Sequence, residues 1–161
     1  MAVLAVTGHL HLTGPTVALV RTALLELLRA RAAEGSLTGI SCIAKGADSL
    51  FAEAVLAVGG ELVAVVPSED YRASTVGPDH AEVFDGLVAE ASGVIVMPFD
   101  HAGSEAYAAA NALLLERADE LVAVWDGVPS TVRGGTGDMV EHARAAGMTV
   151  VRVWPDGAAR C

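Results

Sequence analysis

The sequence predicts an α/β fold: a doubly wound, mostly parallel six-stranded sheet of Rossmann-like type, in a single domain spanning residues 1–161. Three observations predict it. Six short apolar runs alternate with longer segments whose apolar residues recur at helical spacing. Most of the short runs are apolar at nearly every residue, as strands covered on both faces are. Polar residues and glycines collect just after these runs, where an open parallel sheet binds its ligands.

The elements follow in order. "AVLAV" at residues 2–6 is the first strand and ends at Thr7-Gly8. Residues 15–34 form a helix: Val17, Val20, Leu24, Leu27 and Leu28 share a face, Pro15 suits the first turn and Gly35 the stop. "TGISCIA" at 38–44 is the second strand. Residues 47–58 are helical, with Phe51, Ala54, Val55 and Val58 turned to the sheet and Gly59-Gly60 closing the helix. "ELVAVVP" at 61–67 is the third strand, and the polar segment 68–77 reads as a loop. Residues 78–91 make a helix with Ala81, Phe84, Leu87 and Val88 inward. "GVIVMP" at 93–98 is the fourth strand, 104–118 a helix, "ELVAVW" at 120–125 the fifth strand, 138–146 the last helix, and "TVVRVWP" at 149–155 the sixth strand. Residues 156–161 read as a short mobile tail. Right-handed crossovers turn this order into a doubly wound sheet.

Composition narrows the function classes. A chain of 161 residues buries about two thirds of its unfolded surface and needs neither disulfide nor metal to fold. With 53% hydrophobic but only 4% aromatic residues, the core is built from Ala, Val and Leu. The net charge of −10 argues against a nucleic-acid partner, because nothing offsets phosphate repulsion over a broad surface. It does not bar one phosphate held by backbone N–H groups. Cys42 reads as a buried core thiol and Cys161 as a tail thiol, with no zinc or redox spacing. His9, His11 and His101 fall in loops, whereas His80 and His142 fall on helices and read as solvated. None has metal-ligand spacing, so no metal is expected. No signal-peptide order and no apolar run of about 18 residues occurs, so the expected setting is cytoplasmic, with no membrane partner.

Loops after the first, fourth and fifth strands (7–14, 98–105 and 126–138) are longer than a connection requires. Neither the GxGxxG fingerprint nor a P-loop is present. "VRGGTGD" can hold a phosphate by physics alone: Gly134 and Gly135 let backbone N–H groups approach, the following helix offers its positive end, Thr136 adds a hydroxyl and Arg133 a charge. The same stretch also reads as an ordinary helix start, with Asp138 and Glu141 as a capping box. "KGADS" poses the same choice, with Gly46, Ala47 and Asp48 as an anion-holding turn or a plain helix start. His9 is a candidate contact or a loop histidine bonded to backbone. Glu105 sits at a helix start, favourable for the helix dipole, and Asn111 is an odd polar choice between alanines.

"VTGH", "AKGAD" and "VWDG…GGTGDMVEHARAAG", in that order over nearly the whole chain, resemble the SLOG superfamily. That group includes the LOG phosphoribohydrolases (once described as lysine decarboxylases), YpsA-type proteins, molybdenum-cofactor carriers and the Rossmann-like part of DprA. The resemblance implies a Rossmann-like fold and a nucleotide-like or phosphoribosyl ligand, held by Thr7, Gly8, Gly134, Gly135 and Thr136. In LOG enzymes an arginine and a glutamate, the latter after "PGGxGTxxE", cleave the N-glycosidic bond of a nucleoside monophosphate. Here the stretch reads "VRGGTGDMVE", without the proline and the third glycine, and Asp138 falls one residue short of the catalytic position. The expected function is binding of a nucleotide-derived small molecule. The alternatives are a LOG-like hydrolase using Arg133 with Asp138 or Glu105, and a pterin-cofactor carrier. The small apolar residues of "AYAAANALLL" can pair with a second copy of the chain or pack on the sheet.

Overall fold

A computed structural model describes residues 1–161. The strands are β1 (Ala2–Gly8), β2 (Leu37–Ser41), β3 (Glu61–Val66), β4 (Gly93–Val96), β5 (Glu120–Val124) and β6 (Thr149–Arg152). The helices are α1 (Gly14–Glu34), α2 (Ala47–Ala57), α3 (Tyr71–Ser74), α4 (Ala81–Glu90), α5 (Ser104–Arg117) and α6 (Thr136–Ala145). All six strands are parallel, in the order β4-β3-β2-β1-β5-β6. The chain steps outward from β1 to β4, then returns to the other side of β1 for β5 and β6. The reversal opens a crevice at the C-terminal ends of β1 and β5, the place where such sheets hold ligands.

Side-chain alternation along the strands divides the core. Leu4 and Val6 of β1 face α1 and α2, packing with Leu24, Phe51 and Val55, all fully buried. Ala5 faces the other way, toward Ala110 and Leu114 of α5 and Met139 and Ala143 of α6. Leu62 and Ala64 of β3 meet Phe84 and Leu87 of α4. Small residues at the sheet–helix contact permit this close packing: a Cβ on Gly39 would stand 2.5 Å from Val55 and 3.0 Å from Phe51.

Three expectations are corrected. Segment 68–77 is not all loop, because one helical turn, α3, buries Tyr71 against Phe84. His80 is not solvated but buried, since it precedes α4 and turns under the second loop. The tail is pinned: Leu12 and Arg160 form an antiparallel bridge, and the Ala159 N–H donates to Thr16 Oγ1 at 2.8 Å. Strands two, four and six stop two or three residues earlier than their apolar runs. Cys42 is buried, as expected, and Cys161 is exposed. No helix is long and apolar enough to cross a membrane.

Candidate functional site

A cavity of about 490 Å³ opens at the C-terminal ends of the central strands. That is within the usual size of small-ligand pockets. Val6, Thr7 and Gly8 end β1 and form its floor. Cys42, Ala44, Lys45 and Asp48 contribute one wall, Tyr71 and residues 75–77 a second, and Tyr107 and Asn111 of α5 a third. Gly134, Gly135 and Thr136 close it from the β5 side.

The geometry of each wall follows from local chemistry. Gly8 is required because a Cβ there would stand 2.3 Å from Ala47 Cβ and 2.9 Å from the Val124 carbonyl. Its absence lets the start of α2 lie directly on the end of β1, where the Ala47 N–H donates to the His9 carbonyl at 3.2 Å. Next to this contact, Ile43 adopts φ +56, a left-handed conformation unusual for a β-branched residue. Three partners hold it there. Ser41 Oγ accepts from the Ile43 N–H at 3.1 Å and donates to the Asp48 carbonyl at 3.0 Å. His80 Nε2 donates to the Ile43 carbonyl at 3.1 Å, while Ser49 Oγ donates to the Ala44 carbonyl at 2.7 Å. The clamp turns Cys42, Ala44 and Asp48 toward the cavity.

Burial dominates the electrostatics. Asp48 has no side-chain partner, and desolvation pushes its pKa up to about 7, against a smaller lowering by the Ala44 backbone N–H. Burial also raises the Tyr71 hydroxyl and the Cys42 thiol well above their ordinary ranges. Lys45 Nζ stands 2.6 Å from Asp79 Oδ2 at the exposed rim, and this contact raises the lysine and lowers the aspartate.

The GGT loop combines both of its sequence readings. The helix begins at Thr136, two residues earlier than expected, so Asp138 is not the N-cap of a box with Glu141. Asp138 instead lies inside the first turn and accepts from the Gly134 N–H at 2.9 Å. That removes one donor from any anion cradle. The N–H groups of Thr136, Gly137 and Asp138 make no hydrogen bond within the protein. Asn111 explains its odd position: its amide donates to the Gly134 carbonyl at 3.1 Å and ties the loop to α5. Asn111→Ala is expected to cost about 1 kcal/mol in urea denaturation. It should also speed hydrogen exchange at residues 134–136 more than elsewhere.

Of the residues singled out in the sequence, Thr7, Gly8, Asp48, Gly134, Gly135 and Thr136 meet around the cavity. Gly46 and Ala47 lie behind its wall. His9 turns away: its Nε2 accepts from the Asp126 N–H at 3.1 Å, its ring packs edge-on to Trp154, and burial lowers its pKa. Arg133 and Glu105 are exposed and, like Asp138, do not line the cavity. The long fourth loop is structural, because Asp70 accepts from the Ala102 N–H at 2.8 Å and from Ser68 Oγ at 2.7 Å. Sequence reasoning missed Tyr71, Lys45 and the Ile43 clamp.

Fold and crevice together define a Rossmann-like domain with a ligand-sized cavity at its topological switch point. No family model matches the sequence, and no curated protein does. Solved structures do share the architecture. DNA processing protein A from Streptococcus pneumoniae superposes with TM-score 0.68 at 17% identity, over 98% of this chain and 52% of that one. The chain thus spans about half the length of that structure. The Helicobacter pylori protein of the same name gives TM-score 0.69 at 16% identity, over 99% of this chain and 68% of that one. The Moco carrier protein of Chlamydomonas rheinhardtii gives TM-score 0.58 at 18% identity, over 94% and 74%. These likenesses show a shared fold.

Proposed function

We propose that this protein binds a nucleotide-derived or phosphoribosyl small molecule in the switch-point cavity. The observation that carries this reading is the meeting of the first loop and the GGT loop around one cavity, with three N–H groups of the α6 start left without protein acceptors. Thr7 and Thr136 supply hydroxyls beside them. The reading puts phosphate at Gly135–Thr136 and the rest of the ligand toward β2 and β3. Binding is favoured over N-glycosidic hydrolysis because Arg133, Glu105 and Asp138 do not line the cavity. The Helicobacter structure is described as binding single-stranded DNA. A net charge of −10 favours a small ligand over a polyanion for this chain.

The test is calorimetric titration with inorganic phosphate, AMP, GMP and a single-stranded oligonucleotide, with chromatography for released base. Saturable binding of a mononucleotide without base release is the expected result. Gly135→Val should weaken it strongly, because the added Cβ would stand 3.1 Å from the Val132 carbonyl as well as 2.6 Å from Ser130 Oγ, and the loop must shift. Thr136→Val, a milder change, should weaken it about tenfold. Release of free base would replace the reading with hydrolysis. Binding of the oligonucleotide alone would replace it with a DNA role.

A further inference from the structure

Most polar side chains of the cavity already have protein partners. Lys45 holds Asp79, His80 holds the Ile43 carbonyl, Asn111 holds Gly134, and the Tyr107 hydroxyl meets Thr75 Oγ1 at 3.4 Å. Two groups on the β2–β3 side differ. No side chain donates to the Asp48 carboxyl. The Tyr71 hydroxyl makes no hydrogen bond to protein, although Tyr71 is only 3% exposed and lines the cavity. The two line the same cavity. No side-chain polar atom sealed in the core lacks a partner, so the open hydrogen-bonding capacity of these two groups faces the cavity, where a ligand can take it up.

We propose that Asp48 and Tyr71 form a ring-recognition subsite for a heterocycle with two adjacent N–H donors beside a carbonyl, the 2-amino-4-oxopyrimidine edge shared by guanine and pterins. The inference rests on the small-molecule reading above. An ionised carboxylate only accepts, and its two oxygens match two parallel N–H donors. The Tyr71 hydroxyl can donate to the ring carbonyl next to them. Adenine offers one donor and one acceptor along the corresponding edge, which would leave an acceptor facing a carboxylate oxygen. Sheet order gives the subsite its distance from the phosphate end. β2 and β5 flank β1, so their ends lie two strand spacings apart, about 10 Å. A nucleotide lying across the end of β1 would reach both.

The experiment is titration of wild type, Asp48→Asn and Tyr71→Phe at pH 8 with GMP, IMP, AMP, neopterin and inorganic phosphate. Wild type is expected to bind GMP roughly ten- to a hundredfold tighter than AMP, with IMP, which lacks the 2-amino group, between them. Asp48→Asn should lose that preference while keeping its affinity for phosphate and AMP, and Tyr71→Phe should weaken GMP selectively. Tight neopterin binding without GMP binding would support the same edge with a pterin as its source. Equal GMP and AMP affinity in wild type, or an undiminished preference in Asp48→Asn, would overturn the subsite and leave the small-molecule reading intact. Failure of every compound to bind would remove both.

Discussion

Gly46→Ala is expected to destabilise the protein by about 3 kcal/mol or more. Two causes add. Gly46 sits at φ +82 and ψ −127, outside the left-handed helical region, where a side chain costs about 1–3 kcal/mol. A Cβ would also stand 2.4 Å from the Leu10 carbonyl oxygen and 2.6 Å from that of His9. Both are backbone atoms and cannot swing aside, so α2 or the first loop must move. Gly59 gives the comparison. It has the same φ of +82 but nothing within 4 Å of its Cβ position. Gly59→Ala, at positive φ with open space, should therefore cost far less, about 1 kcal/mol. Urea denaturation of both variants gives the difference directly. Equal midpoints would mean that the close approach of the first loop to α2 is absent in solution. Because the turn after Gly46 carries Asp48, Gly46→Ala should also weaken ligand binding where Gly59→Ala does not.

The order of elements was legible because it depends on many residues at once. Doubly buried strands give unbroken apolar runs, and α1 shows its stripe over 21 residues. Strand ends were less legible. Met97 and Val153 remain apolar beyond β4 and β6 because they still pack on the core after the ladder has ended. The crevice was legible through the TGH and GGT loops, whose glycines mark backbone that must come close to something. Its far wall was not. His80, Ser49 and Ile43 are brought together across 37 residues by the β2–α2 and β3–α4 connections. Nothing local distinguishes a histidine that caps a buried carbonyl from one that faces water. Tyr71 was hidden for a similar reason, since its neighbours Asp70 and Arg72 are polar and a single turn of helix leaves no periodicity to read.

The Ile43 turn ties fold to site. A β-branched residue held at positive φ is strained by about 1–3 kcal/mol and persists only where its surroundings fix it. Here both backbone groups of Ile43 are bonded and its side chain is fully buried. The strain is thus stored where β2 hands the chain to the helix bearing Asp48. A relaxed turn would not hold Cys42, Ala44 and Asp48 on the same wall.

Asp48→Asn is expected to stabilise the unliganded protein at pH 8 and to leave it almost unchanged at pH 4. The sign follows from proton counting. Folding raises the Asp48 pKa from 3.8 to about 7, so between those values the folded state binds more protons than the unfolded state. Stability attributable to this group is fully present below pH 4 and is lost as pH rises to about 7. Beyond that the loss is constant. Three units correspond to at most about 4 kcal/mol, and because the carboxylate keeps some contact with cavity water the realised effect should be about 2 kcal/mol. Asparagine has the shape of the protonated acid and carries no charge to desolvate. Denaturation of both proteins from pH 4 to pH 8 reads this as a gap that opens with rising pH. A gap independent of pH would mean that Asp48 titrates normally and that its environment is wetter than its burial indicates. The same charge makes binding pH-dependent in the opposite sense: a ligand that donates two N–H bonds to the carboxylate offsets its desolvation, so saturating GMP should flatten the wild-type slope and leave Asp48→Asn unaffected.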